Sequence, residues 1–139
     1  MKTHSEKITV RYAETDQMGI VHHSNYPVWF EVARTGFIKA LGMSYSEVEA
    51  KGLLFPLSEL YVKYHTGALY EDELVITVQI EKLTGARMVF SYQVFRDRDN
   101  ALIATGSTTH AFTDPNIRVM NIMKTHKEIY DMFYVAWKE

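Results

Sequence analysis

Between Asp16 and His23 the chain carries one carboxylate, one glycine and two adjacent histidines, flanked by Glu14 and Asn25. Met18, Ile20 and Val21 stand beside Asp16, and partial burial among them would make this carboxylate a stronger base. Gly19 permits a tight turn or the close approach of a ligand. The stretch runs directly into a strongly apolar helical pattern. Free N–H groups and the positive end of that helix would stabilise negative charge on an oxygen. A carboxylate base beside such a helix end suits attack on a carbonyl carbon, with charge developing on the carbonyl oxygen. An aspartate in a turn also serves simply as a cap, so both readings stand at this point. His22 and His23 could ligate a metal, with Asp16 or Glu14 contributing, but no third or fourth ligand has obvious spacing.

The elements that must position these residues are legible on either side. Ile8, Val10 and Tyr12 alternate with Lys7, Thr9 and Arg11, predicting a short half-buried strand. Residues 13–25 lack periodicity and read as an ordered loop. Pro27 opens a helix, and Trp29, Phe30, Ala33, Phe37, Ile38 and Leu41 follow at helical spacing up to Gly42. Its wide, bulky face predicts the centre of the core. Ser44 and Glu47 have capping-box spacing and predict a short helix over 45–50. Strands are predicted over 57–65, over the alternation of Leu74, Ile76, Val78 and Ile80, over that of Met88, Phe90, Tyr92 and Val94, and over 102–112. The last is rich in small residues, which would let a helix approach the sheet closely. Thr125 and Glu128 predict the cap of a C-terminal helix carrying Ile129, Met132, Phe133 and Ala136. Short turns imply sequential antiparallel strands. The result is one α+β domain, residues 1–139, with a five-stranded sheet and uncovered surface that invites oligomerisation.

Composition limits the function classes. The chain has 139 residues, 47% apolar and 23% charged, as an ordinary globular domain has. A net charge of −2 gives no electrostatic reason to expect nucleic acid. The absence of cysteine excludes disulfides, thiolate zinc sites and cysteine nucleophiles. No apolar run behind the N-terminal charges suggests a leader, and none is long enough to span a bilayer, so a cytoplasmic location without membrane insertion is the expectation.

Tyr12, Glu14, Thr15, Asp16, Gly19, Ile20, Val21, His23, Asn25, Tyr26, Trp29, Phe30, Glu31, Ala33 and Arg34 together resemble the signature of the 4-hydroxybenzoyl-CoA thioesterase family, including its Tol-Pal-associated acyl-CoA thioesterases. The resemblance extends over roughly residues 6–113 and implies a hot-dog fold, a sheet wrapped around one long helix. It implies hydrolysis of an acyl-CoA to free acid and CoA with no metal or other cofactor. Asp16 would be nucleophile or general base, and the backbone N–H of His23 would hold the thioester oxygen. It further implies that Gly19, Tyr26 and Glu31 shape the substrate site and that Arg87 meets CoA phosphates. A homodimer or homotetramer is expected, since hot-dog domains build acyl tunnels at subunit contacts. Acyl-carrier protein is an alternative carrier. A non-catalytic acyl-CoA-binding regulatory module is the competing function, and a dehydratase of the same fold a third.

Overall fold

The computed structural model describes residues 1–139. Five antiparallel strands form one sheet: β1 (Thr3–Thr9), β2 (Leu57–Tyr64), β3 (Glu73–Leu83), β4 (Arg87–Arg96) and β5 (Leu102–Ala111). Their spatial order is β1-β3-β4-β5-β2. The strand pattern predicted for β3 and β4 holds: Leu74, Ile76, Val78 and Ile80, with Met88, Phe90, Tyr92 and Val94, are all buried on one face. That face wraps α1 (Asn25–Ala40), whose Tyr26, Trp29, Phe30, Ala33, Phe37 and Ile38 are buried. Phe30 stacks on Tyr92 with ring centroids 4.2 Å apart.

Small residues bring helix and sheet together. A Cβ on Gly106 of β5 would lie 2.6 Å from the Phe30 ring and 2.5 Å from the Tyr61 carbonyl oxygen. Beyond α1, the short α2 (Tyr45–Ala50) starts at the predicted box, in which Ser44 Oγ accepts the Glu47 N–H and Glu47 reaches back to the Ser44 N–H. The chain ends in α3 (Ile122–Thr125) and α4 (Lys127–Lys138). Phe133 of α4 stacks on Phe112 and meets Phe55 edge-on, which joins the C-terminal helix to the same core.

Three expectations are corrected. β1 ends at Thr9, and Tyr12 belongs to a 3-10 turn, Tyr12–Glu14, because Glu14 draws the chain back onto the Arg11 N–H and guanidinium. Thr125 and Glu128 do not cap the last helix. Asn121 instead caps α3, accepting the Met123 N–H, and α4 follows directly after His126. Third, β2 does not pair with β3. The link from Tyr64 to Glu73 carries the chain across the sheet, and β2 lies at the far edge beside β5. Three strand spacings are only about 14 Å, within reach of a link this long.

Candidate active site

The loop between β1 and α1 is anchored by Glu14. This buried side chain accepts the Arg11 N–H at 2.8 Å and the Trp29 indole N–H at 3.2 Å, and its main-chain oxygen accepts His22 N–H at 2.8 Å and Asn25 Nδ2 at 2.9 Å. Burial raises the Glu14 carboxyl pKa, but the Arg11 and Trp29 hydrogen bonds outweigh it and leave the group below its ordinary value. The carboxylate is thereby kept as a structural acceptor. Asn25 ties the loop at two points, donating also to the His22 carbonyl at 3.1 Å.

Asp16 heads a tight turn. Its N–H donates to Ile20 O and its carbonyl accepts Gly19 N–H, each at 2.9 Å. Gly19 has φ +82°, a backbone state that glycine adopts without penalty. Asp16 Oδ1 accepts the Met18 N–H at 2.9 Å, so the turn-forming role is realised and fixes the side chain. Oδ2 accepts no hydrogen bond from the protein, and the group is half-buried. A carboxylate held by one oxygen with the other available has the form a positioned base requires.

His23 stands just before α1. Its backbone N–H donates to no protein acceptor, while its carbonyl accepts the Tyr64 hydroxyl at 3.3 Å. Tyr64 packs edge-on against Tyr26, which in turn packs on Trp29. Burial, aided by Tyr64, pushes the Tyr26 phenol up to about 12, so it stays protonated. Asp16 and His23 line one cleft of about 230 Å³, closed by Met18, Ile20, Val21, Tyr26, Tyr64, His65, Thr66 and Gly67. Gly67 is needed there, because a Cβ would lie 2.7 Å from Ile20 Cγ2.

The structure thus brings Asp16, His23 and Tyr26 together, with Gly19 turning the loop that presents Asp16. It does not bring Glu31 or Arg87 to them. Glu31 is on the exposed face of α1, its carboxylate 3.9 Å from Arg34 Nη2. Arg87 starts β4 and lines a separate cleft with Glu59, Glu81, Lys82, Thr84, Val89 and Thr109. Tyr64, His65 and Thr66, which complete the Asp16 cleft, carry no site signal in the sequence, where residues 57–65 read only as a strand. The His22 and His23 rings lie 4.1 Å apart, tilted by 32°, and His22 Nδ1 is engaged by Ser24 at 2.8 Å. No group of three or more His, Asp and Glu side chains is placed to hold a metal.

Residues 10–131 match the thioesterase-like superfamily. The Bacillus subtilis protein YneP, provisionally named an acyl-CoA thioesterase, is 44% identical over 95 residues, 68% of this chain and 69% of its own. The acyl-CoA thioester hydrolase YbgC of Escherichia coli is 27% identical over 108 residues, 78% of this chain and 80% of its own. Among solved structures, the DHNA-CoA thioesterase from Staphylococcus aureus superposes with a TM-score of 0.91 at 31% identity, covering 97% of this chain and 91% of that one.

Proposed function

The chain belongs to the thioesterase-like superfamily, and on that premise we propose that it hydrolyses an acyl-CoA thioester with Asp16 as the reacting carboxylate. The observation that supports this reading is the shared cleft: Asp16, one of whose oxygens has no protein partner, and His23, whose N–H is unpaired, line the same space at the start of α1. A thioester carbonyl seated there would have its oxygen held by the His23 N–H and the positive end of α1. Asp16 then either takes a proton from attacking water or attacks the carbonyl itself, forming a mixed anhydride that water opens. In both routes the C–S bond breaks and CoA leaves as thiol. Tyr26 and Tyr64 hold the His23 peptide in place, and no metal or redox group is called for.

The protein acts, in this reading, as a single domain in the cytoplasm, assembled as a homodimer or homotetramer. No helix is long and apolar enough to cross a membrane. The β2 edge supports assembly: it is unpaired on its outer side, and Leu57, Leu60, Tyr61 and Tyr64 are all exposed along it. Two β2 edges joined about a two-fold axis run antiparallel. The Leu57 end of one copy would then lie beside the Tyr64 end of the other. That arrangement would carry the cleft containing Arg87 toward the partner's Asp16 cleft, and it reconciles a phosphate-binding role for Arg87 with its distance from Asp16 within one chain.

The test is release of free CoA from short, medium, long and aromatic acyl-CoAs by wild type beside Asp16→Asn. Wild type is expected to turn over at least one class and the variant to lose about 10²-fold or more. Equal rates for the two proteins overturn the role of Asp16. Binding of acyl-CoA by wild type without any release assigns the protein to a non-catalytic acyl-CoA-binding module instead.

A further inference from the structure

The Asp16 loop is set against a turn, residues 67–72, that packing does little to hold. Only Ala68 of this turn belongs to the hydrophobic core. Leu69 and Tyr70 are exposed, and Glu71 has φ +70°, a conformation non-glycine residues rarely take. The turn is tied by polar groups instead. Asp72 Oδ2 accepts the Leu69 N–H at 2.9 Å and closes it. The same oxygen accepts Arg96 Nη1 at 3.2 Å, in an ion pair whose Arg96 and Asp72 side chains are only 11% and 9% exposed. Asp99, in the link between β4 and β5, fixes Arg96 by accepting Nε and Nη2, each at 3.1 Å. On its other side the turn holds the Asp16 loop. Ala68 O accepts the Val21 N–H at 2.9 Å, Val21 bridges to Thr15, and the Asp16 N–H donates to Ile20 O. Val10 donates its N–H to Asp72 O at 2.9 Å, and its carbonyl accepts the Glu71 N–H at 3.0 Å. Tyr70 meets Tyr12 edge to face at 5.6 Å, and a second cleft, about 460 Å³, is lined by both and by Asp16.

Resting on the assignment of Asp16 above, we propose that Arg96 is a positioning residue for the reaction. Through Asp72 it fixes the turn against which the Asp16 loop is set, and so the placing of the Asp16 carboxylate relative to the His23 N–H. The pair is not needed to join strands, since β3 and β4 already pair from Leu74 and Arg96 to Leu83 and Met88. A buried ion pair also adds little net stability, because desolvation of the two charges offsets their attraction. What this pair supplies is a fixed place for the turn. Without Arg96, the buried Asp72 carboxylate loses its hydrogen-bonded counter-charge, and Arg98 Nε, 3.9 Å away on a side chain 65% exposed, is too far to hydrogen-bond in its stead. Asp72 then turns toward water and releases the Leu69 N–H. The turn relaxes away from Val21, and the Asp16 loop loses its support. A displacement of about 1 Å between reacting groups is enough to cost on the order of 10²-fold in rate.

The experiment measures kcat and KM on the acyl-CoA that wild type hydrolyses fastest, for wild type, Asp72→Asn, Arg96→Gln and Arg96→Lys. Phe133→Leu serves as a control, since it loosens the core where α4 stacks on Phe112 and touches nothing in the Asp16 loop. Amide hydrogen exchange at Leu69 and Val21 reads the turn itself. Asp72→Asn and Arg96→Gln are expected to lower kcat about tenfold with KM unchanged, and to speed exchange at both amides. Arg96→Lys keeps a charge opposite Asp72 but loses the fork on Asp99, and is expected to recover most of the rate. Phe133→Leu is expected to lower the unfolding midpoint and leave kcat as it is. If Arg96→Gln does not fold, Asp72→Asn carries the test. A wild-type kcat in Asp72→Asn overturns the proposal, and so does a loss that Phe133→Leu reproduces, because either result makes the pair merely structural. A raised KM at constant kcat overturns it too, by assigning the turn to substrate binding. A wild type that releases no CoA removes the assignment of Asp16 and this role with it, whereas an inactive Asp16→Asn beside a fully active Asp72→Asn overturns this role alone.

Discussion

Replacing Glu14 by glutamine tests whether one buried carboxylate organises the loop that carries Asp16. Three donors converge on it: the Arg11 N–H at 2.8 Å on Oε1, and Trp29 Nε1 at 3.2 Å and Arg11 Nη2 at 3.3 Å on Oε2. Glutamine supplies one acceptor oxygen and one donor amide. If its oxygen keeps the Arg11 N–H, the amide faces the Trp29 N–H, donor against donor, at a tryptophan only 2% exposed. A hydrogen bond to a charged group contributes about 1.5–3 kcal/mol, and a buried unpaired donor costs about 1–3 kcal/mol. The Arg11 guanidinium is 77% exposed, so its ion pair adds little. Easier burial of a neutral amide offsets part of the loss, and the net expectation is a destabilisation of about 2–4 kcal/mol. Urea unfolding at neutral pH reads it directly, as a lower midpoint with unchanged slope. The pH dependence supplies a second check. Because the folded Glu14 carboxyl lies below its ordinary pKa, its contribution is present above the unfolded pKa and is lost as pH falls through the folded one. The gap between wild type and variant therefore closes in acid, below about pH 4. A neutral-pH loss under about 1 kcal/mol, the size of a single ordinary hydrogen bond, or a gap that persists in acid, refutes the reasoning.

Three further outcomes are expected. Burial, opposed by a hydrogen bond to the Phe55 carbonyl and aided by Arg34, pushes the His110 imidazole down to about 4. The unfolded chain therefore takes up this proton first, so stability is full above about pH 6.5 and falls by on the order of 3 kcal/mol as pH drops toward 4; thermal unfolding across this range should show a slope that His110→Gln reduces. Gly106→Ala should cost about 2 kcal/mol or more, because its Cβ meets the Tyr61 backbone and the Phe30 ring, whereas Gly36→Ala should cost less, since its nearest contact is the movable carboxylate end of Glu6. Equilibrium unfolding of the two variants separates them, and equal losses would contradict the close-approach explanation. Leu60→Lys, at an exposed position of the β2 edge, should lower the mass measured by light scattering after gel filtration toward that of a single chain, and an unchanged multimer would remove β2 from the interface.

The elements that repeat locally were legible in the residues alone. Two-residue alternation marked β3 and β4, and 3.6-residue spacing marked α1, because both patterns record which face is buried against the core. The Ser44–Glu47 box was legible for the same reason: both partners lie within one helical turn. The boundaries of β1 and the last helix were misread where a competing local hydrogen bond prevailed, Glu14 onto Arg11 in the first case and Asn121 onto Met123 in the second. The Asp16 loop stood out through its signature residues, which lie close together in the chain.

Tertiary structure alone decided what surrounds that loop. Tyr64, His65, Thr66 and Gly67 reach Asp16 only because the chain crosses from the β2 edge of the sheet to β3, beside β1, and no local pattern records which strands become neighbours. Arg87, which the resemblance would set against CoA phosphates, lies at the start of β4, in a different cleft. Tyr12 read as the end of a strand and became one wall of a second cleft once Tyr70, 58 residues later, packed against it. Sequence spacing carries burial and local hydrogen bonding, which act over a few residues. The shape of a cleft depends on which distant segments the sheet brings together, and that is settled only when the whole core packs.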